Sequence, residues 1–282
     1  MNANAIPLKP GLYVTATPIG NLGDITYRAV ETLRAADLIL CEDTRQTAKL
    51  CAAYDIKTRR MAYQEHNAER VRPEIIARLQ KGDAICLVSD AGTPLIADPG
   101  FKLVREAREA GVDVFPIPGP SAIIAALSAA GAPTDRFSFG GFPPAKQNAR
   151  RNFFKELETA PGALVFYEAA NRLGESLSDM ADIFGDRDAV IAREITKLHE
   201  EFHRGCLTEL AAAFADAPPK GEIVVILYPG VQKIASYAEV DAFLETAVQG
   251  SSVKEAAAAA ADAFRIPKRV AYARALALRE KP

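Results

Sequence analysis

The sequence predicts an α/β architecture: two successive α/β blocks and then a small helical unit. Over the first 130 residues, short apolar stretches alternate with helical periodicity. A turn-rich stretch, GGFPPAKQN, interrupts that rhythm from Gly140 to Asn148, and a second alternating block follows. After Pro229-Gly230 the chain becomes alanine-rich and helical.

The first block has strand candidates at Leu12 to Thr15, Leu38 to Cys41, Thr58 to Tyr63, Ala84 to Val88 and Val112 to Ile117. They are short, apolar and partly β-branched, as buried parallel strands are. Helical patterns lie between them. One covers Thr26 to Ala35 with Thr26 as N-cap. Another runs from Ala68 to Gln80 and stops at Lys81-Gly82, and a third runs from Gly100 to Ala110 and stops at Gly111. The second block has strands at Phe137 to Phe142, Ala163 to Glu168, Ala189 to Glu194 and Glu222 to Tyr228. Its helices are Ala149 to Glu158, Asn171 to Phe184 and Thr208 to Ala215. The pattern leaves open whether the second sheet is parallel or mixed. Ser252 to Phe264 and Lys268 to Arg279 then read as two helices around Arg265-Ile266-Pro267, a helix-turn-helix pattern. The expected division is 1–124, 125–232 and 233–282.

With 49% hydrophobic and 25% charged residues, the composition is that of a globular protein, not a disordered or coiled-coil one. A net charge of −2 gives no bulk attraction to polyanions, so nucleic-acid contacts need local patches. No apolar run reaches membrane-spanning length, and the N-terminus lacks the pattern of a secretory signal. Cys41, Cys51, Cys86 and Cys206 form no C-x-x-C pair and read as reduced thiols of a cytoplasmic protein.

Ligands of open α/β sheets bind at the carboxyl ends of the strands. The segments there are TPIGN (Thr17 to Asn21), CEDTR (Cys41 to Arg45), SDAGTP (Ser89 to Pro94) and PGPSA (Pro118 to Ala122). Each alone reads as an ordinary turn; four on one edge outline a cleft. Gly92 and Gly119 permit close backbone approach, Pro94 and Pro120 stiffen the loops, and Asp90 offers an acceptor. Ser121 is placed to cap the following helix, whose N-terminus favours an anion. There is no G-x-G-x-x-G after the first strand, no P-loop and no G-x-S-x-G elbow. His199 to His203 matches H-E-x-x-H, but zinc binding needs both histidines one helical turn apart. On a β-arm they lie about 13 Å apart at roughly 3.3 Å per residue. The only other histidine is His66, so no metal site is expected.

TPIGNLGDIT, ADLILCEDTR, LVSDAGTPLIADPG, IPGPSA, VFYEAANRL and AREITKLHEEFHRG together resemble the ribosomal RNA small-subunit cytidine-2′-O-methyltransferase family (small-subunit methyltransferase I). That family belongs to the tetrapyrrole-methylase-like superfamily. The likeness runs from Gly11 to Gly230, and the tail resembles the helix-turn-helix extension of many members. One departure stands out: FYEAANR, Phe166 to Arg172, replaces the usual FYESPHR. The resemblance implies a parallel first sheet, a mixed second sheet, S-adenosylmethionine as cofactor and a homodimer. It assigns the cofactor to Pro18, Asp90, Ala91, Gly92, Thr93, Pro94, Ile96, Gly119, Ser121, Ala122, Glu168 and Ile195.

On that reading a ribose 2′-oxygen attacks the activated methyl in line, and the protein mainly aligns the reactants. Asp43, Asp90, Glu168 and Glu194 are candidate bases, and Arg45 and Lys197 candidate phosphate or hydroxyl contacts. Asp43, Arg45, Glu168 and Lys197 are the expected catalytic set. RNA contacts are expected from Lys146, Arg150, Arg151 and Lys155, from Lys57, Arg59 and Arg60, and from a basic tail. The tail comprises Arg265, Lys268, Arg269, Arg274, Arg279 and Lys281, with Lys268 and Arg269 in front. The expected partner is small-subunit RNA within the assembled 30S particle, not DNA and not a membrane. The alternatives are a tetrapyrrole-precursor C-methyltransferase, disfavoured by ATPIGN where a G-x-G-P-G-like loop is expected, and a non-catalytic RNA-binding protein.

Overall fold

The computed structural model describes residues 7–97, 100–215, 218–230, 237–264 and 266–279. They form two compact units divided at Gly230 and Val231. In the first, the order is β1 (Gly11–Thr15), α1 (Tyr27–Ala35), β2 (Leu38–Cys41), α2 (Thr44–Ala53), β3 (Arg60–Ala62), α3 (Glu65–Gln80), β4 (Ala84–Leu87), α4 (Phe101–Glu109), β5 (Val114–Ile117) and α5 (Ala122–Ala130). There follow β6 (Phe137–Phe139), α6 (Gln147–Glu156), β7 (Ala163–Ala169), α7 (Leu173–Phe184), β8 (Asp188–Arg193), β9 (Glu201–Cys206), α8 (Leu207–Ala215) and β10 (Glu222–Leu227).

The first sheet has the order β3-β2-β4-β1-β5, and every pairing in it is parallel. Its strands are apolar on both faces because helices cover both. Tyr13, Ile39, Cys41 and Cys86 pack with Val30 and Leu33 of α1. Leu12, Leu38, Leu40, Ile85 and Leu87 pack with Ile75 of α3 and Leu103 of α4. Thr26 caps α1, its side chain accepting from the Ala29 N–H. The residue pattern had not marked α2 as a helix; Asp43 starts it by accepting from the Arg45 N–H at 2.8 Å.

The second sheet has the order β6-β7-β10-β8-β9. It is mixed: β6 runs parallel to β7, and the other pairings are antiparallel. One face carries Leu164, Phe166, Ile191 and Val225 against Phe154, Leu177 and Leu210. The other carries Val165, Val190, Val224 and Ile226 under Ile123, Ala126, Leu127 and Ala130 of α5. Thus α5 leaves the first sheet and packs on the second, and the cleft lies where the two meet.

The second unit consists of α9 (Tyr237–Gly250), α10 (Val253–Phe264) and α11 (Lys268–Arg279). Val240, Leu244, Ala256, Ala260, Ala271 and Ala275 form its core. The sequence reading did not mark α9. Arg274 is held inside this unit by Asp241, at 2.7 and 2.5 Å, and lies 4.2 Å from the Tyr237 ring centroid. Arg265 and Lys281, expected in the basic tail, lie outside the described residues.

Candidate active site

Because β1, β2, β4 and β5 are parallel, the segments after them share one edge, and hydrogen bonds tie them together. Thr17 and Gly92 exchange backbone bonds of 2.9 and 3.0 Å. The Thr17 hydroxyl donates to the Ser89 carbonyl at 3.1 Å, and that of Thr93 to the Pro120 carbonyl at 3.1 Å. The Asp43 N–H donates to Asp90 Oδ1 at 2.9 Å. Gly92 has φ +80°, a conformation costly for any residue with a Cβ.

Behind these loops is a cavity of about 400 Å³ between the two sheets. Its first wall is Ile19, Asp90 to Thr93, Ile96, Ala97, Ser121 and Ala122. Its second wall is Phe142, Tyr167 to Ala169, Ile195 and Gly221 to Val224. Leu95 and Ala97 have φ of +73° and +66°, and Glu194 and Thr196 have +50° and +68°. Non-glycine residues in this region are held there by their surroundings, and such strain concentrates at ligand sites.

Of the twelve expected cofactor positions, Asp90, Ala91, Gly92, Thr93, Ile96, Ser121, Ala122, Glu168 and Ile195 border the cavity. Pro18, Pro94 and Gly119 are not among its wall residues. Gly119 serves packing instead, since a Cβ there would come within 2.9 Å of the Ala16 Cβ. Ser121 occupies the N-cap position of α5 without a capping bond from its side chain. Ile19 lies inside the TPIGN segment that the residue pattern marked, whereas the pattern did not single out Phe142, Tyr167 or the β10 edge, Gly221 to Val224. Those positions depend on how the second sheet folds against the first.

Several expected roles need correction. The Glu168 side chain has no exposed surface and is paired with Arg172 at 2.7 Å. It also accepts from the Ala169 N–H and from Ser176. It is a buried structural carboxylate, so it is not the expected base. Asp43 caps α2 and pairs with Arg45, whose hydrogen bonds hold its carboxyl below the usual range. That makes it a weak proton acceptor. Arg45 itself is mostly exposed. Arg150 is only 1% exposed and bound by Asp179 at 2.7 Å, so it is not the expected phosphate contact. Arg151 pairs with Asp179 and Asp182, whereas Lys146 and Lys155 are exposed. Of the tail, Arg274 is taken up by Asp241, and Lys268 and Arg269 are exposed.

Lys197 lies over Gly20 of the TPIGN loop, where a Cβ would come within 2.4 Å of its Cγ. Its ammonium contacts Glu194 at 2.8 Å and Glu222 at 3.2 Å. Burial alone lowers its pKa, but these two partners outweigh burial and raise it, so it stays protonated. Within H-E-x-x-H, His199 is in a turn and His203 in β9. The one-turn helical spacing that zinc binding requires does not exist there.

Burial, and then the charges of Asp90 and Asp43, raise the pKa of Glu42. A carboxyl with a raised folded pKa adds stability below its unfolded pKa, about 4.3, and loses it as pH rises through the folded value. Glu42→Gln is therefore expected to melt higher than the parent protein at pH 7, with the gain vanishing near pH 4. Thermal melts across that range check this. Equal melting temperatures at pH 7 would contradict the coupling.

Comparisons with known proteins fit this geometry. The description Tetrapyrrole (Corrin/Porphyrin) Methylases matches residues 11–211, and RsmI C-terminal HTH domain matches residues 235–279. A relative named Ribosomal RNA small subunit methyltransferase I, from Mesorhizobium japonicum, is 47% identical over 98% of this chain and 95% of its own length. A relative of the same name from Escherichia coli O157:H7 is 46% identical over 94% of each chain. Among solved structures, a diphthine synthase aligns with TM-score 0.61 at 18% identity, over 81% of this chain and 92% of its own. A uroporphyrin-III-C-methyltransferase from Thermus thermophilus aligns with TM-score 0.54 at 17% identity, over 77% and 94%. These two show a shared fold.

Proposed function

This chain belongs to the ribosomal RNA small subunit methyltransferase I family, and from that premise we propose that it methylates the ribose 2′-hydroxyl of a cytidine in small-subunit ribosomal RNA. S-adenosylmethionine is the cofactor. The observation that carries the reading is the cavity at the edge of four loops, of which TPIGN, CEDTR and PGPSA are each bonded to SDAGTP.

The residues present fit that cofactor. Gly92 leaves room where a Cβ would come within 3.3 Å of Ile19 Cγ2. Asp90 and its neighbours Glu42 and Asp43 give one end of the cavity a negative potential, suited to a ligand carrying ammonium and sulfonium charges. Ile96, Ile195, Ile223 and Val224 supply apolar wall for a nucleoside base. When bound, the cofactor supplies a methyl group already activated on a sulfonium.

The chain's own residues then have to position and exclude. The Gly92 loop and Asp90 hold the charged end. Lys197 lays its alkyl stem against Gly20 of the TPIGN loop, and its ammonium is held by Glu194 and Glu222, which makes it a brace between that loop and the second sheet. Of the four carboxylates considered as bases, Asp43, Glu168 and Glu194 are each bound by a cation. Asp90, whose Oδ1 accepts from the Asp43 N–H, is taken up by the cofactor's charged end, so alignment of the activated methyl carries the reaction. Arg45, Lys146 and Lys155, with Lys268 and Arg269 on α11, are the exposed cations assigned to RNA phosphates.

The substrate is proposed to be RNA in the assembled 30S particle, and the site of action the cytoplasm. Among the described residues no helix is long and apolar enough to cross a membrane. A homodimer is proposed as well. Leu198 and Tyr27 are each 93% exposed and Leu22 and Ile124 about half exposed. These residues sit on segments joined by the Gly20–Lys197 and Thr26–Pro118 contacts. Exposed apolar surface of this kind marks interfaces.

The test offers labelled S-adenosylmethionine with small subunits lacking their own 2′-O-methylation, with deproteinised RNA, with DNA of the same sequence and with a uroporphyrinogen-type acceptor. Incorporation into RNA and none into DNA is expected, because the 2′-hydroxyl is the acceptor. Incorporation only into the tetrapyrrole would overturn the reading.

A further inference from the structure

Resting on that reading of the cleft, we propose that Phe142 is a positioning residue: the platform on which the target cytosine stacks when its ribose enters. The cavity wall contains two aromatic side chains among the described residues, Phe142 and Tyr167. They differ in role. Phe142 is 55% exposed, whereas Ile223 and Val224 on the same wall are 3% and 4% exposed; Ile96, on the opposite wall, is 40% exposed. An enclosed wall suits the cofactor, which must be shielded from water. An open aromatic face at the mouth suits a base that arrives attached to a macromolecule.

The ring is also held in place. Tyr167 lies behind it, centroids 5.3 Å apart, and Phe139 lies against Tyr167 at 4.9 Å. The loop carrying Phe142 prolongs the β6–β7 pairing. The Gly140 N–H donates to the Val165 carbonyl at 2.9 Å, and the Tyr167 N–H to the Gly141 carbonyl at 3.0 Å. A Cβ on Gly140 would come within 2.5 Å of the Phe166 ring, so this close packing requires glycine. Pro143 and Pro144 fix the chain beyond the ring. The buried Arg150 donates to the Ala145 carbonyl at 3.3 Å, and Arg172 to the Pro143 carbonyl at 3.4 Å. Arg150 therefore serves RNA indirectly, by anchoring the loop. The exposed Lys146 at the end of that loop supplies a phosphate contact next to the stacked base.

A rigid aromatic face costs little entropy on binding, and base stacking on such a face changes affinity about 10- to 100-fold. The experiment compares the full chain carrying Phe142→Ala, Phe142→Leu or Phe142→Trp. It measures steady-state methylation of unmethylated small subunits and S-adenosylmethionine binding by calorimetry. Phe142→Ala and Phe142→Leu are expected to raise the KM for the subunit about 10-fold or more. Cofactor affinity should hold, and Phe142→Trp should restore KM. Cofactor binding that weakens in step, or Phe142→Leu matching the parent protein, would overturn the assignment. A parent protein that transfers no methyl to any RNA would overturn the functional reading itself and this inference with it, so the two failures are distinct.

Discussion

Replacing Gly92 by valine is expected to abolish S-adenosylmethionine binding while leaving the fold intact. At φ +80° a β-branched residue is strongly disfavoured. Its Cβ would also press on Ile19 Cγ2 at 3.3 Å and approach the Pro120 carbonyl at 3.7 Å. Relief requires the loop to move, and moving it breaks the reciprocal Thr17–Gly92 backbone bonds that join two loops of the first wall. The left-handed conformation alone costs about 1–2 kcal/mol, and loss of the wall adds to that. Affinity should fall by about 100-fold or more, since 1.4 kcal/mol is tenfold. Calorimetric titration reads the affinity, and circular dichroism checks the fold. Retained affinity would show that the cofactor does not use this loop.

The second large effect is on stability. Asp179→Ala removes the carboxylate that binds Arg150 at 2.7 Å and Arg151 at 2.9 Å. Arg150 would remain at 1% exposure with Glu175 as its carboxylate partner at 3.4 Å. A buried charge stripped of its partner costs about 3–5 kcal/mol. For a chain of this size that lowers Tm by roughly 10 °C. Arg150→Met together with Asp179→Leu should recover most of the loss, because it removes both charges and keeps apolar volume. A fall of only a degree or two for Asp179→Ala would mean that Arg151 and Asp182 reorganise to compensate.

This pair also shows what sequence reading can and cannot reach. Arg150 sits among Lys146, Arg151 and Lys155 with no acid between them, which looks like an exposed basic cluster. Its partner Asp179 is 29 residues away on α7 and is invisible to local spacing. Glu168 borders the cavity as its strand-end place implies, but its expected role as a base was out of local reach, because Ser176 and Arg172 engage its carboxylate on the α7 side. The parallel first sheet was legible, because strands buried on both faces read as unbroken apolar runs. So was the loop edge that borders the cavity, because parallel strands put their carboxyl ends together. The second wall was less so. Ile223 and Val224 look like any core strand until β10 is placed antiparallel between β7 and β8. Two helices escaped notice. α2 is short and starts inside CEDTR, where Asp43 reads as a site carboxylate and is a cap. α9 buries only Val240 and Leu244, too sparse a stripe to stand out.

The most direct test of the central claim is where the methyl group goes. Small subunits lacking their own 2′-O-methylation, labelled by this protein, are digested with alkali. Alkali cleaves RNA through the 2′-hydroxyl, so a 2′-O-methylated nucleotide survives as an uncleaved dinucleotide. The expected result is label in a single alkali-resistant dinucleotide beginning with cytidine, absent when the protein carries Gly92→Val. Label released with mononucleotides would place the methyl on a base and contradict the assignment of the cleft to ribose methylation.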